Sequence, residues 1–208
     1  MLKTFVKISN VTNLSDARYC AGMGVDMLGF SIDENSDHYI VPKKYAEIRA
    51  WIAGVRLVVE SAEKNPGKLL STLAEYECDA LQIEDPDLLL YLKSELDKPL
   101  LLRVDVDHYE ADELDALMSR YAGEVEFFLL ESNQNAPLTD EWQNYLRVLS
   151  GEYPILLGFG LENEDALESS IFSSGLKGIA LRGSEEIRPG YKDFGSLMDI
   201  LESLETDS

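Results

Sequence analysis

Val6–Phe30, VKISNVTNLSDARYCAGMGVDMLGF, is the stretch from which the fold is read. Val6 and Ile8 alternate with Lys7 and Ser9, a strand's period of two, and the pattern ends in the turn residues Asn10–Asn13. Leu14, Ala17 and Ala21 then recur at helical spacing, with Gly22 read as a close-packing position on the same face. Gly24 stands where a C′ glycine ends a helix, and Met27–Phe30 resumes an extended apolar run. Strand, helix and strand in this order make a β-α-β unit. Its crossover implies a parallel sheet.

The same alternation continues outward from this unit. Asp33–His38 is a polar loop, Pro42 opens a helix to about Trp51, and Val55–Val59 is a strand. Pro66 starts a helix with Leu69, Leu70, Leu73 and Ala74 at helical spacing, Ala80–Ile83 is a strand, and Pro86 occupies the first position of the next helix. Strands follow at Leu100–Val106, Val125–Leu130, Ile155–Leu157 and Gly178–Leu181. The helices between and after them are Glu110–Tyr121, Leu138–Leu149, Ala166–Phe172 and Phe194–Leu204. Eight strand–helix alternations in 208 residues sit at the short end for a TIM barrel, whose lower limit is about 200 residues. Alternation alone also allows an open, doubly wound sheet. Without a linker or low-complexity segment, residues 1–208 read as one domain, with Glu205–Ser208 expected to fray.

Composition narrows the function classes. The 39 acidic against 18 basic residues give a net charge of −21, a field that repels nucleic acid and anionic membrane. It also slows the approach of phosphorylated substrates unless a basic pocket compensates. Cys20 and Cys78 have no metal or redox spacing and read as small packed residues. MLKTFVKI enters a strand at once, with no signal-peptide core, and no apolar run is long enough to span a bilayer. The expected location is the cytoplasm.

A family resemblance rests on Lys7–Ala17, K-I-S-N-V-T-N-L-S-D-A, followed by Gly24–Phe30, G-V-D-M-L-G-F. These segments resemble the opening of phosphoribosylanthranilate isomerase, an enzyme of tryptophan biosynthesis whose usual pattern is K-I-C-G-I-T, an acidic-Ala helix, then G-A-D-x-x-G-F. Val41-Pro42, Ala80-Leu81-Gln82-Ile83, Pro154-Ile155-Leu156-Leu157 and Pro189-Gly190-Tyr191-Lys192-Asp193 follow in the family's order, so the similarity spans nearly the whole chain. The resemblance selects a single α/β domain, a (β/α)8 TIM barrel, over the open sheet. It implies an Amadori rearrangement, an intramolecular aldose–ketose isomerisation with a cysteine base ending strand 1, an aspartate acid ending strand 6, and glycine-rich loops 7 and 8 around a phosphate.

The chain departs from that chemistry at most of these positions. Ser9 stands for the cysteine, and a hydroxyl needs its own activator to act as a base. Lys7 shares its face of the strand, and Asn10 replaces a glycine. Glu131 stands for the aspartate, one methylene longer, and Asn133-Gln134-Asn135-Ala136 replaces a glycine-threonine-glycine loop. A serine-proline-arginine becomes Ser36-Asp37-His38, and Q-L-H-G becomes Gln82-Ile83-Glu84-Asp85. In loop 7 the paired glycines read Phe159-Gly160, where a phenyl group is expected to obstruct a phosphate cradle. In loop 8, Arg182-Gly183-Ser184-Glu185 leaves Arg182 and Gly183, with Gly160, as the remaining phosphate partners.

One further set is legible at the strand ends. Glu60, Glu84, Asp105 and Glu131 fall at or beside the ends of strands 3 to 6, where converging carboxylates could hold a divalent metal cation. Three functional readings follow. The favoured one is an isomerase-like barrel that has lost or altered the family's reaction. The alternatives are an active isomerase using Ser9 and Glu131, and a barrel binding a cation or small molecule through rim carboxylates. The expected partner is a small-molecule ligand, with no cofactor implied and a monomer or homodimer both allowed.

Overall fold

The computed structural model describes residues 1–161, 175–183, 186–188, 191–192 and 195–206. Eight parallel strands close into a barrel in sequential order: β1 (Phe5–Ser9), β2 (Met27–Ser31), β3 (Arg56–Ser61), β4 (Ala80–Ile83), β5 (Leu100–Asp105), β6 (Phe127–Glu131), β7 (Ile155–Leu157) and β8 (Gly178–Arg182). The closing seam pairs β1 with β8 from Phe5 opposite Gly178 to Ser9 opposite Arg182. A (β/α)8 barrel is therefore the fold, and the open sheet is excluded. Gly178 is required at the seam, because a Cβ there would stand 2.1 Å from the Phe5 carbonyl oxygen.

Local signals start most of the described helices. α1 (Leu14–Gly22) is capped by Asn13, whose side chain accepts the Asp16 amide. α2 (Pro42–Arg49) and α3 (Pro66–Leu73) carry proline in the first turn. The helix expected from Pro86 opens instead as a 3-10 turn, Pro86–Leu88, and becomes α4 only at Leu89–Glu95. α5 (Ala111–Tyr121) starts with a capping box between Glu110 and Glu113, and α6 (Asp140–Glu152) with Thr139. After β8 come a short antiparallel pair, β9 (Glu186–Arg188) and β10 (Tyr191–Lys192), and α7 (Gly195–Ser203). The helix expected at Ala166–Phe172 lies outside the described residues.

The strands are apolar on both faces because both are buried. Outward residues such as Ile8, Phe30, Val59, Leu102 and Phe128 pack with the helices in one core. In α1 this face is Asp16, Ala17 and Cys20, with Leu14 at its edge. Gly22 corrects its expected role: it is exposed, and a Cβ there would meet nothing within 4 Å. Gly24, at φ +80, does fill the left-handed position after the helix. Inside the barrel, Met27, Val58, Ala80 and Leu101 form one apolar group and Leu129, Leu156 and Ala180 another, both packed on Phe5 and Phe127. Above them the interior turns polar, and that change positions the site. At the tail, Glu205 bridges Leu2 and the Thr206 amide donates to the Met1 carbonyl; Asp207 and Ser208 lie outside the described residues.

Candidate ligand site at the barrel mouth

Strand alternation turns the side chains of Ser9, Glu60, Gln82, Arg103, Glu131 and Arg182 to the C-terminal mouth, where they line a cavity of about 370 Å³. A larger groove of about 720 Å³ lies off the axis, between the loops after β2 and β3 and α3. Its lining already pairs internally, as Lys68 does with Glu63. We place the site at the mouth because the strand ends converge there.

Beneath the mouth, Lys7 is fully buried. Its ammonium donates to the Ser9 hydroxyl at 2.7 Å and forms an ion pair with Glu60. The other Glu60 oxygen accepts the Asn10 amide at 3.0 Å, and Asn10 takes the left-handed φ of 59° that its position required. Gly29 makes this pair feasible, since a Cβ there would stand 2.0 Å from Glu60 Oε1 and 2.9 Å from Lys7 Nζ. Ser9 is 3% exposed, and its carbonyl accepts the Gly183 amide at 2.7 Å. It is held by its hydroxyl and by its backbone. Removing one member of a buried pair typically costs about 3–5 kcal/mol, because the other charge is left without a partner.

Arg103 organises the far side. It donates through Nε to Glu131 at 2.7 Å, through one terminal nitrogen to Glu84 at 3.0 Å and through the other to Asn133 at 2.7 Å. Burial works against its charge, yet Glu131, Glu84 and Asp105 outweigh burial and raise its pKa above the ordinary arginine value. Arg182 reaches the same Glu131 oxygen at 3.3 Å. Asn133 also donates to Asp105 at 2.6 Å. The four carboxylates that could have held a cation are engaged within the protein: Glu60 with Lys7, Glu84 and Glu131 with Arg103, and Asp105 with Asn133, which Arg103 also reaches. Among the described residues no three His, Cys, Asp or Glu are placed to hold a metal ion.

The expected phosphate partners are arranged differently from the reading. The Gly183 amide is spent on Ser9. Gly160 has φ +67, and a Cβ there would strike Leu138 at 2.6 Å, so this glycine packs against the loop before α6. The Phe159 ring is buried and meets Trp142 edge-on at 5.2 Å. A second cavity of about 330 Å³ opens between the ends of β7 and β8 and α7. Arg182 is the one charged residue lining it among the described residues. Loop 6, which has lost its glycines, is fastened down instead. Ser132 and the Gln134 amide both donate to Asp107, at 2.7 and 2.8 Å.

Three residues that decide this geometry were not singled out in the sequence. Arg103 carried a signal, a cation alternating with Leu101 and Asp105 on an inward face. Gly29 stood in the sequence only as the second glycine of the family pattern, and its role was hidden because its partner charges come from two other strands. Gln82 was read only as a family landmark, but its side chain is buried at the mouth and its Oε1 has no hydrogen-bond partner.

The fold and mouth define a class: a (β/α)8 barrel whose working end is lined by ion pairs. No family model matches the chain. It is 24% identical over 204 residues to N-(5'-phosphoribosyl)anthranilate isomerase of Aquifex aeolicus, covering 97% of this chain and 98% of that one. The structure of phosphoribosyl anthranilate isomerase from Thermococcus kodakaraensis superposes with a TM-score of 0.78 at 21% identity, covering 98% and 100% of the two chains. That of the Thermotoga maritima enzyme gives 0.76 at 24% identity, covering 97% and 98%. Along nearly its whole length the chain is thus similar to phosphoribosylanthranilate isomerases, and it shares their fold.

Proposed function

We propose that this chain is a ligand-binding barrel that no longer carries out the family's Amadori rearrangement. One observation carries the reading: the residues at the positions of the family's base and acid are both engaged within the protein. Ser9 accepts a hydrogen bond from an ammonium group that is itself ion-paired, so nothing beside it is disposed to take its proton. Glu131 is the shared acceptor of two arginines and is not presented as a proton donor. The mouth retains a cavity of a size that suits a small molecule. Among the described residues no helix is long and apolar enough to cross a membrane.

The test is conversion of phosphoribosylanthranilate by purified protein, with growth of a tryptophan auxotroph lacking the isomerase as the cellular counterpart. We expect neither turnover nor rescue, and none from Ser9→Cys, since Lys7, Glu60 and the Gly183 amide would still hold position 9. Turnover that disappears in Ser9→Ala would overturn the proposal. The second reading, an active isomerase, draws on the 2.7 Å approach of Lys7 to Ser9. It requires Lys7 to be released from Glu60 before it can act as a base.

A further inference from the structure

The groups at the mouth divide into those already engaged and those with capacity left. Every carboxylate discussed above has a cationic or amide partner. Gln82 is the opposite case, because its side chain is only 4% exposed, it lines the cavity, and its Oε1 meets no donor. A buried amide without a partner weakens a fold, so an apolar side chain would serve a purely structural position better. The terminal torsion of glutamine is broad and about two-fold, so either end of the amide can turn to the cavity. Arg182 also has capacity left: its side chain is 48% exposed, and its contact with Glu131 uses one nitrogen of the guanidinium.

We propose that the mouth binds a small hydroxylated carboxylate, with the carboxylate on Arg182 and a hydroxyl on Gln82. This rests on the reading of the chain as a ligand-binding barrel. A hydroxyl donates and accepts at one atom, which suits an amide that offers both functions side by side. A carboxylate matches the planar fork of a guanidinium. The protein's charge of −21 selects a monoanion over a phosphate dianion, which it would repel about twice as strongly. The Gly183 amide, already bonded to Ser9, is not free to offset that repulsion.

Calorimetric titration of the full chain with sodium D-gluconate and sodium L-lactate tests this, against sodium acetate, xylitol and inorganic phosphate at matched ionic strength. We expect saturable binding of gluconate or lactate, with acetate, xylitol and phosphate each at least tenfold weaker. Gln82→Leu and Arg182→Ala should each weaken that binding at least tenfold. Gln82→Leu should leave the melting temperature of the unliganded protein unchanged or raised, the mark of a residue kept for its ligand. Should Gln82→Leu fail to fold, the isosteric Gln82→Glu must lose binding by repelling the carboxylate. Absence of saturable binding by both hydroxy acids, undiminished binding in the Gln82 variant, or preference for phosphate would each overturn the proposal. Isomerase turnover would overturn the binding-barrel reading and leave these titrations standing; failed titrations beside a negative isomerase assay would overturn this inference alone.

Discussion

Glu60 of β3 reaches Lys7 of β1 across Gly29 of β2, and the missing side chain of Gly29 is the space in which the two charges meet. Gly29→Ala would put a methyl group 2.0 Å from Glu60 Oε1, so the pair must separate. We expect a loss of about 3–5 kcal/mol, the usual cost of breaking a buried pair. Gly22→Ala is the control, because its Cβ meets nothing within 4 Å, and it should stabilise by about 0.4–1 kcal/mol. Urea unfolding of the two variants separates steric exclusion from ordinary glycine entropy. Equal effects would mean that Gly29 has no special role.

The pair itself shows how far the sequence could be read. The family resemblance put Ser9, Glu131 and Arg182 at the mouth and selected the barrel, and the strand pattern, whose two-sided burial leaves a strong apolar signature, added Glu60. Partnership was not legible. Lys7 and Glu60 are 53 positions apart and meet only across β2, the strand between theirs in the closed sheet. Counting acids at strand ends overlooked Lys7 and Arg103, the cations that neutralise them. The edge-on contact of Phe159 with Trp142 of α6 was not legible either.

The two cysteines should be inert in the folded protein. Both are free and buried, and burial pushes the Cys20 thiol up to about 12 and raises that of Cys78. At pH 8 the thiolate fraction of Cys20 is then about one part in ten thousand. Ellman's reagent should detect almost no thiol in the native protein at that pH and two per chain in guanidinium chloride. Rapid reaction of the native protein would show that α1 or the start of β4 opens readily.

Asp107 links loop 6 to stability in acid. Burial alone would raise its pKa, but the Ser132 hydroxyl and the Gln134 amide outweigh burial and hold it below its ordinary value of 3.8. A folded-state pKa below the unfolded one gives stabilisation that is present above the unfolded value and lost as pH falls through the folded one. Ser132→Ala removes the strongest of these donors and should move the acid-unfolding midpoint to higher pH. Asp107→Asn should flatten the pH dependence of the melting temperature below about pH 4. An unchanged acid limb in both variants would show that other carboxylates govern acid unfolding.

Arg103 and Glu131 offer a direct measure of coupling at the mouth. Their side chains are only 13% and 5% exposed, so water screens the pair little. Arg103→Met leaves Glu131 with Arg182 at 3.3 Å and leaves Glu84 without its arginine. The expected loss is about 3–5 kcal/mol, lowered by whatever Arg182 recovers on moving closer. Glu131→Gln should cost less, because a glutamine oxygen still accepts from Arg103, which also keeps Glu84 and Asn133. In the double variant the neutral glutamine no longer needs a cation, so the combined loss should fall short of the sum by about 0.5–3 kcal/mol. Urea unfolding of the four proteins measures that difference. Additive losses would mean that Arg103 acts through Glu84 and Asn133, and that Glu131 is held by Arg182.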